Sequence, residues 1–468
     1  LLLDVEGLGL DFCLRCADAG HDVRWFRLDS DKSRDGEGFE RIATVEDWHD
    51  HMDWARGGLI LNTGNHKFLS ELDEYREEGY PIFGPSKASA ALEIKRSLGM
   101  DLLKKVGVDL PPYSMFNSLE EAAAFARRSD QAWVFKTMGD EADKSLAYVS
   151  KDPADMAGWI EQKIRKGMKL KGPCMLQEKI DMLCDYGLGG WMGPQGFLRD
   201  RWEVSFEHKK LMNGEIGPNT GEQGTVTQRV EKDPLADVLL ALEPELVRLG
   251  HTGDFSIGVG IDRQGKAWPF EFTVRLGYPA WFLQIATVQG DPLQWMRDLI
   301  DGKDSLKVSR ETCIGVVCAQ PPYPSEKFKA EEVQGEPISF DDKVRDQIHP
   351  CAVMMGEGPV MKDGKVVDAP MWQTTAPYVM VVTGMGDSVK DAQKSVYSAI
   401  DEISFPDMMY RTDIGDKVKK YLPELHRFGF ALPMQPEAKA VEKPRPAPRP
   451  AISPVRSAMM RAAIQPPA

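Results

Sequence analysis

The chain has 468 residues, enough for roughly three domains, and its 42% hydrophobic and 28% charged content is that of a soluble globular protein. A formal net charge of −14 argues against nucleic acid as a partner, because phosphate-backbone binding needs a basic surface, but still allows an anionic small molecule in a locally basic cleft. The seven cysteines are scattered, and the one C-x-x-C pair, Cys13 and Cys16, lies inside an apolar helical pattern, so reduced core residues are expected rather than a zinc or redox site. No apolar run approaches the ~20 residues of a spanning helix and no signal segment is recognisable, so no membrane partner and a cytoplasmic location are expected.

In chain order, residues 1–84 alternate strands and helices. Leu1–Val5 reads as a buried strand, Gly7-Leu8-Gly9 as a turn and Leu10–Ala19 as a helix. Val23–Leu28, Leu59–Asn62 and Tyr80–Gly84 read as further strands, a βαβ rhythm that predicts a small parallel sheet. The glycines after the first strand do not complete G-x-G-x-x-G, since Phe12 fills the third place, so a nicotinamide site is disfavoured. Residues 86–107 have the period of one amphipathic helix. Leu119–Arg128 has another, with Ser118 as N-cap and Glu121 three residues on. A strand at Ala132–Lys136, a polar loop from Gly139 to Ser145 and a strand at Leu146–Val149 form a lysine-bearing hairpin, one way to lay a lid over nucleotide phosphates. Cys174–Ile180, Phe255–Ile261 and Ala267–Arg275 are strands. Residues 313–319 and 378–384, followed by a helix at Val389–Ile403, make a further α/β unit. From Ala431 onward proline and alanine dominate, and a disordered tail is expected because such a segment buries too little apolar surface.

Two segments carry candidate chemistry. Glu207–Gly224, EHKKLMNGEIGPNTGEQG, combines a His-Lys pair, an Asn213-Gly214 turn and a Gly-Pro-Asn-Thr-Gly loop. Glycine lets a ligand approach the backbone, and loop N–H groups can converge on an anion, although such clusters also occur as ordinary surface turns. In PFEFTVRLG, Glu271, Thr273 and Arg275 alternate onto one strand face, where a carboxylate and a guanidinium can serve Mg²⁺ and a phosphate, with Asp262 nearby. An ion pair between Glu271 and Arg275 is the structural alternative.

GPSKASAALEIKRS (Gly84–Ser97), EHKK…GPNTGEQG, EFTVRLG and the block from Gly384 to Gly415 ending in YRTDIG occur in one order. Together they resemble the phosphoribosylamine–glycine ligases of the ATP-grasp superfamily, from the first strand to about Phe430. The resemblance implies an α/β fold: an N-terminal parallel-sheet domain over 1–84, an ATP-grasp domain over 85–305 with a hinged lid about 112–180, and a C-terminal domain over 306–430, before the 431–468 tail. It implies a monomer or homodimer that uses ATP and Mg²⁺ (or Mn²⁺) to join glycine to phosphoribosylamine through a glycyl phosphate, in purine biosynthesis. By the same resemblance Lys136, Lys144, Gln177, Glu178 and Asp185 correspond to ATP-binding positions, and Glu271 and Thr273 to the metal site. Arg275 and Lys209 take catalytic roles, and Gly7, Gly9, Pro218, Asn219, Thr220 and Gly221 bind the amine substrate. The departures fall at functional places. GLGLDFC replaces the usual GGREHA, Met100 stands at a usual lysine with Arg96 or Lys95 as possible substitutes, Thr273 replaces an asparagine, Tyr278 an aspartate, and Glu222-Gln223 a Gly-Met pair. They leave open a ligase with a different amine or amino acid, or a binding module without catalysis.

Overall fold

The computed structural model describes residues 1–28, 34–138, 147–325 and 327–435. Its first unit is a five-stranded parallel sheet in the order Ala43–Val45, Arg24–Arg27, Leu2–Asp4, Ile60–Asn62, Ile82–Phe83. The central strand, Leu2–Asp4, is buried throughout, as expected of a parallel strand covered on both faces. Helix Leu10–Asp18 presents Leu10, Phe12, Cys13 and Leu14 to the core. The strand Ala43–Val45 was not foreseen: it has three residues, two of them exposed, and so no hydrophobic period. All seven cysteines are free and buried.

The single helix expected over 86–107 is two, Lys87–Ile94 and Arg96–Lys105, broken at Lys95 with φ −97° and ψ 83°. The break turns Arg96 inward, where its Nη1 donates to the Phe270 carbonyl at 3.1 Å. A four-stranded antiparallel sheet then forms in the order Tyr113–Phe116, Cys174–Glu178, Trp133–Thr137, Tyr148–Val149. It has its own core, with Phe135, Ile160 and Leu176 at its centre. Helix Leu119–Ala126 starts where Ser118 accepts from the Glu121 N–H, the cap foreseen from sequence.

The largest sheet is antiparallel and runs Ala267–Thr273, Gly253–Asp262, Met182–Gly193, Trp202–Glu207, Gly224–Val230, Thr312–Cys318, Met380–Gly386, Ile348–Pro350. It crosses residue 305 without interruption, because Gly224–Val230 pairs directly with Thr312–Cys318. The boundary expected at 305/306 therefore falls inside one sheet. Met182–Gly193, its longest strand, was not foreseen; it carries four glycines. They serve close packing: a Cβ on Gly190 would stand 2.9 Å from the Trp202 ring. A smaller sheet of Val353–Lys362, Lys365–Thr374, Pro337–Phe340 and Ile403–Ser404 lies beside it. Packing extends past helix Asp416–Phe428 to Ala431 and Met434, both buried, so the chain leaves the core several residues later than expected. Residues 436–468, the rest of the expected tail, lie outside the described residues. No helix among the described residues is long and apolar enough to cross a membrane.

Candidate active site

A cavity of about 510 Å³ opens between the four-stranded sheet and the long antiparallel sheet. Lys136, Gln177, Lys209, Gly221, Glu271, Thr273 and Arg275 all line it, together with Arg96 and Met100 from the second of the two helices. Strand alternation accounts for part of this convergence. Lys136 follows the buried Phe135, and Glu271 and Thr273 flank the buried Phe272.

The cationic side is crowded. Lys136 Nζ donates to Gln177 Oε1 at 2.8 Å and lies 5.5 Å from the Phe270 ring centre. Burial, with repulsion from Arg96 and Lys209, outweighs the attraction of Glu271 and lowers its pKa to about 8. Lys209 Nζ stands 2.8 Å from Glu207 and 3.8 Å from Glu271, and Glu207 above all holds its pKa above the usual lysine range. Glu271, half exposed, also faces Arg96 at 3.6 Å. Arg275 turns to Glu93 at 3.7 Å and donates to the Leu276 carbonyl at 2.9 Å. Glu271 thus sits between Arg96 and Lys209, with the Thr273 hydroxyl two residues away. This donor set suits a hard cation that takes most of its oxygens from a nucleotide and water, and no group of three or more metal-ligating side chains occurs among the described residues. Asp262, considered as a second ligand, is occupied instead in the turn between two strands. It accepts from the Gln264 and Lys266 N–H groups and from Trp268 Nε1, each at 2.9 Å.

Other expected residues lie elsewhere. Glu178 is half-buried at the end of its strand, and Asp185 is exposed on Met182–Gly193, both outside the cavity lining. Lys144 and the loop from Gly139 lie outside the described residues. The Gly-Pro-Asn-Thr-Gly segment is less a loop than a hairpin strand, Ile216–Asn219, paired with Lys210–Met212. Pro218 and Asn219 are exposed, and Thr220 closes the hairpin, its N–H and hydroxyl both donating to the Lys209 carbonyl at 2.8 and 3.0 Å. Only Gly221 of this group reaches the cavity.

The hairpin is clamped by the YRTDIG block. Arg411, 2% exposed, donates to the Lys210 carbonyl at 2.9 Å, to Glu215 at 2.7 Å and to Asp413 at 2.8 Å. Asn213 and Thr412 exchange hydrogen bonds, and the Gly214 N–H donates to Asp413 at 2.8 Å. His208 is wholly buried, and its Nε2 accepts from the Gly415 N–H at 3.2 Å. The motif foreseen as a ligand loop therefore spends most of its polar groups on its own attachment.

Gly7 and Gly9 present a second correction. Their N–H groups, and that of Leu8, converge on the carboxylate of Asp4 at 3.0, 2.7 and 3.3 Å, and Trp25 Nε1 adds a fourth donor at 3.0 Å. A nest of backbone donors is suited to an anion, and here the anion is a buried side chain of the same chain. These donors are taken. Sequence reasoning also missed Glu203, Arg229, Asp254 and Gln284, all buried, three of which line the cavity. They come from three strands and a helix far apart in sequence, and no local pattern joins them.

The sequence profile described as phosphoribosylglycinamide synthetase, C domain, matches residues 313–417. The chain is 28% identical over 362 residues to a phosphoribosylamine–glycine ligase of Ralstonia nicotianae, covering 74% of this chain and 81% of the relative. It is 26% identical over 357 residues to that of Neisseria meningitidis serogroup B, with the same coverage. Among solved structures, a phosphoribosylamine–glycine ligase from Thermotoga maritima superposes with TM-score 0.65 at 20% identity, covering 88% of this chain and 99% of that one. N5-carboxyaminoimidazole ribonucleotide synthetase from the same organism gives 0.53 at 15% identity, covering 86% and 98%. At these identities the structures share the fold.

Proposed function

We propose that this relative of the phosphoribosylamine–glycine ligases, which has an ATP-grasp fold, is an ATP-dependent ligase that joins glycine to the amine of phosphoribosylamine, as the names of its relatives describe. The observation that carries the reading is the convergence of Lys136, Arg96, Lys209, Arg275 and Glu271 in one cavity, with Arg96 and Lys209 beside Glu271. In this reading the glycine carboxylate attacks the γ-phosphorus of ATP, giving glycyl phosphate and ADP. The amine then attacks the carbonyl carbon, and phosphate leaves as the amide forms. No protein nucleophile is needed; the work is positioning and charge neutralisation. Lys136 and Arg96 offset phosphate charge, Gln177 holds Lys136 in place, and Lys209 and Arg275 face the carboxylate and the transferring phosphoryl group. Glu271 and Thr273 would hold Mg²⁺, which supplies charge neutralisation on the nucleotide phosphates.

A second reading changes only the acceptor. Asp4 fills the N–H nest at Gly7–Gly9, and the buried Glu222 stands directly after Gly221, its pKa pushed well up by burial and by Glu207. Asp4 occupies the donors that the resemblance implied for a phosphorylated amine, and Glu222 offers no positive charge, which favours an acceptor with a less anionic head.

Purified protein with ATP, Mg²⁺, glycine and phosphoribosylamine is expected to release ADP only when all are present. ADP release with another amine, and none with phosphoribosylamine, would select the second reading. Absence of ADP with every amine and amino acid, together with no nucleotide-dependent thermal shift, would refute both. Glu271→Ala is expected to abolish turnover with folding intact, and near-normal turnover would remove Glu271 from the metal site.

A further inference from the structure

The floor of the cavity has the opposite character from its cationic side. Glu203 on Trp202–Glu207, Asp254 on Gly253–Asp262 and Gln284 on helix Ala280–Thr287 meet there, at 5%, 7% and 3% exposure. The Gln284 amide nitrogen bridges the two carboxylates, donating to Glu203 Oε1 at 2.9 Å and to Asp254 Oδ2 at 3.2 Å. Arg229 Nη2 stands 3.0 Å from Glu203 Oε2, so Glu203 has a cation beside it. Among the described residues no cation lies within salt-bridge distance of Asp254. Two buried carboxylates therefore face one buried guanidinium, and an uncompensated buried charge is costly. Burial and the neighbouring Glu203 raise the Asp254 pKa to about 7.

A second observation points to a ligand. With its nitrogen committed to the carboxylates, Gln284 Oε1 is a buried acceptor without a hydrogen-bond partner, in a side chain that lines the cavity. Gly189 lines it too, and a Cβ there would stand 3.6 Å from Asp254 Oδ1 and 2.9 Å from the Ser256 Cβ, so the bare glycine keeps space beside the carboxylate. An unmatched carboxylate and an unpartnered amide oxygen want N–H donors that carry a positive charge. Arg275 lines the same cavity and feels the field of Asp254, so an anionic group of the same small molecule has a cation to meet.

We propose that Asp254 and Gln284, backed by Glu203, bind the ammonium group of the carboxylate substrate, so that the substrate is selected as an amino-acid zwitterion with its carboxylate toward Arg275. The inference rests on the ligase reading for the identity of that substrate, but the site itself can be tested without turnover. Calorimetric titration of the wild-type protein with glycine, acetate and betaine is expected to show binding of glycine alone, since acetate lacks the cation and betaine lacks N–H donors. Asp254→Asn, nearly isosteric, and Gln284→Met, which removes the bridge, are each expected to weaken glycine by about 10-fold or more, the loss of a charge-assisted hydrogen bond. Binding of a fluorescent ATP analogue is expected to stay unchanged, which also reports that each variant is folded. In the ligase assay the same variants are expected to raise the KM for glycine more than they lower kcat. Glycine binding at wild-type strength in both variants, acetate binding as well as glycine, or no glycine binding at all would overturn the proposal. Selective glycine binding that fails in the variants, in a protein that releases no ADP with any acceptor, would uphold the ammonium site and sink the ligase reading alone.

Discussion

Replacing Arg411 by methionine keeps the unbranched stem of the side chain and removes the guanidinium that ties the YRTDIG block to the hairpin Lys210–Asn219. The side chain is 2% exposed, while its partners Asp413 and Glu215 are 20% and 41% exposed. The bond to Glu215 is screened by water and counts for little. The bonds to Asp413 and the part-buried bond to the Lys210 carbonyl are the ones that count, and loss of one partner of a buried charged pair costs about 3–5 kcal/mol. Because Asp413 keeps the Gly214 N–H and some solvent, the lower end, about 3 kcal/mol, is expected. That corresponds to about a 100-fold increase in local opening, at 1.4 kcal/mol per factor of ten. Hydrogen exchange followed by mass spectrometry is expected to show this increase across 210–219, with smaller changes in the parallel sheet of residues 2–83. Because Lys209 and Gly221 end the hairpin and line the cavity, ligase activity is expected to fall with it. Unchanged exchange in the hairpin, with faster exchange only in helix Asp416–Phe428, would refute the clamp.

Two other expectations concern charge. In the proposed role Lys136 meets phosphate in its protonated form, and its pKa in the free protein is lowered to about 8, so nucleotide affinity is expected to fall as pH rises from 7 to 9, with proton uptake on binding near pH 8.5. Calorimetry in buffers of different ionisation enthalpy measures that uptake, and Lys136→Met is expected to abolish both effects; persistence in the variant would point to another group. Asp4→Gly empties the N–H nest, leaving buried donors unpaired at a cost of about 1–3 kcal/mol each where no water reaches them. Sulfate is expected to raise the melting temperature of this variant far more than that of the wild type, and equal gains would show that Asp4 does not block the nest.

The local parts of the fold were legible. Leu10–Asp18, the Ser118 cap and the strands around Phe135, Ile257 and Phe272 carry periodicity or capping chemistry in adjacent residues. Met182–Gly193 was not, because its glycines pack against Trp202 and other side chains from distant strands, a tertiary reason invisible in a window of sequence. The site divides the same way. Lys136, Glu271 and Arg275 sit in strand motifs and were singled out from sequence, and the structure brings them to one cavity. The donors of Gly7 and Gly9 looked free because nothing local says that Asp4, three residues before Gly7, folds back into them. Asn219 read as a ligand group although it pairs with Lys210 in a local hairpin, and the burial of His208 against Gly415 was illegible because that contact spans about two hundred residues. The acidic floor was illegible for that reason too, since Glu203, Asp254 and Gln284 share no motif.

The measurement closest to the central claim follows oxygen. Glycine carrying ¹⁸O in its carboxylate, incubated with the protein, ATP, Mg²⁺ and the acceptor amine, passes one labelled oxygen to inorganic phosphate if the carboxylate is activated as an acyl phosphate. The account predicts ¹⁸O-labelled phosphate in step with ADP, both lost in Glu271→Ala. Unlabelled phosphate formed alongside the amide product would contradict it.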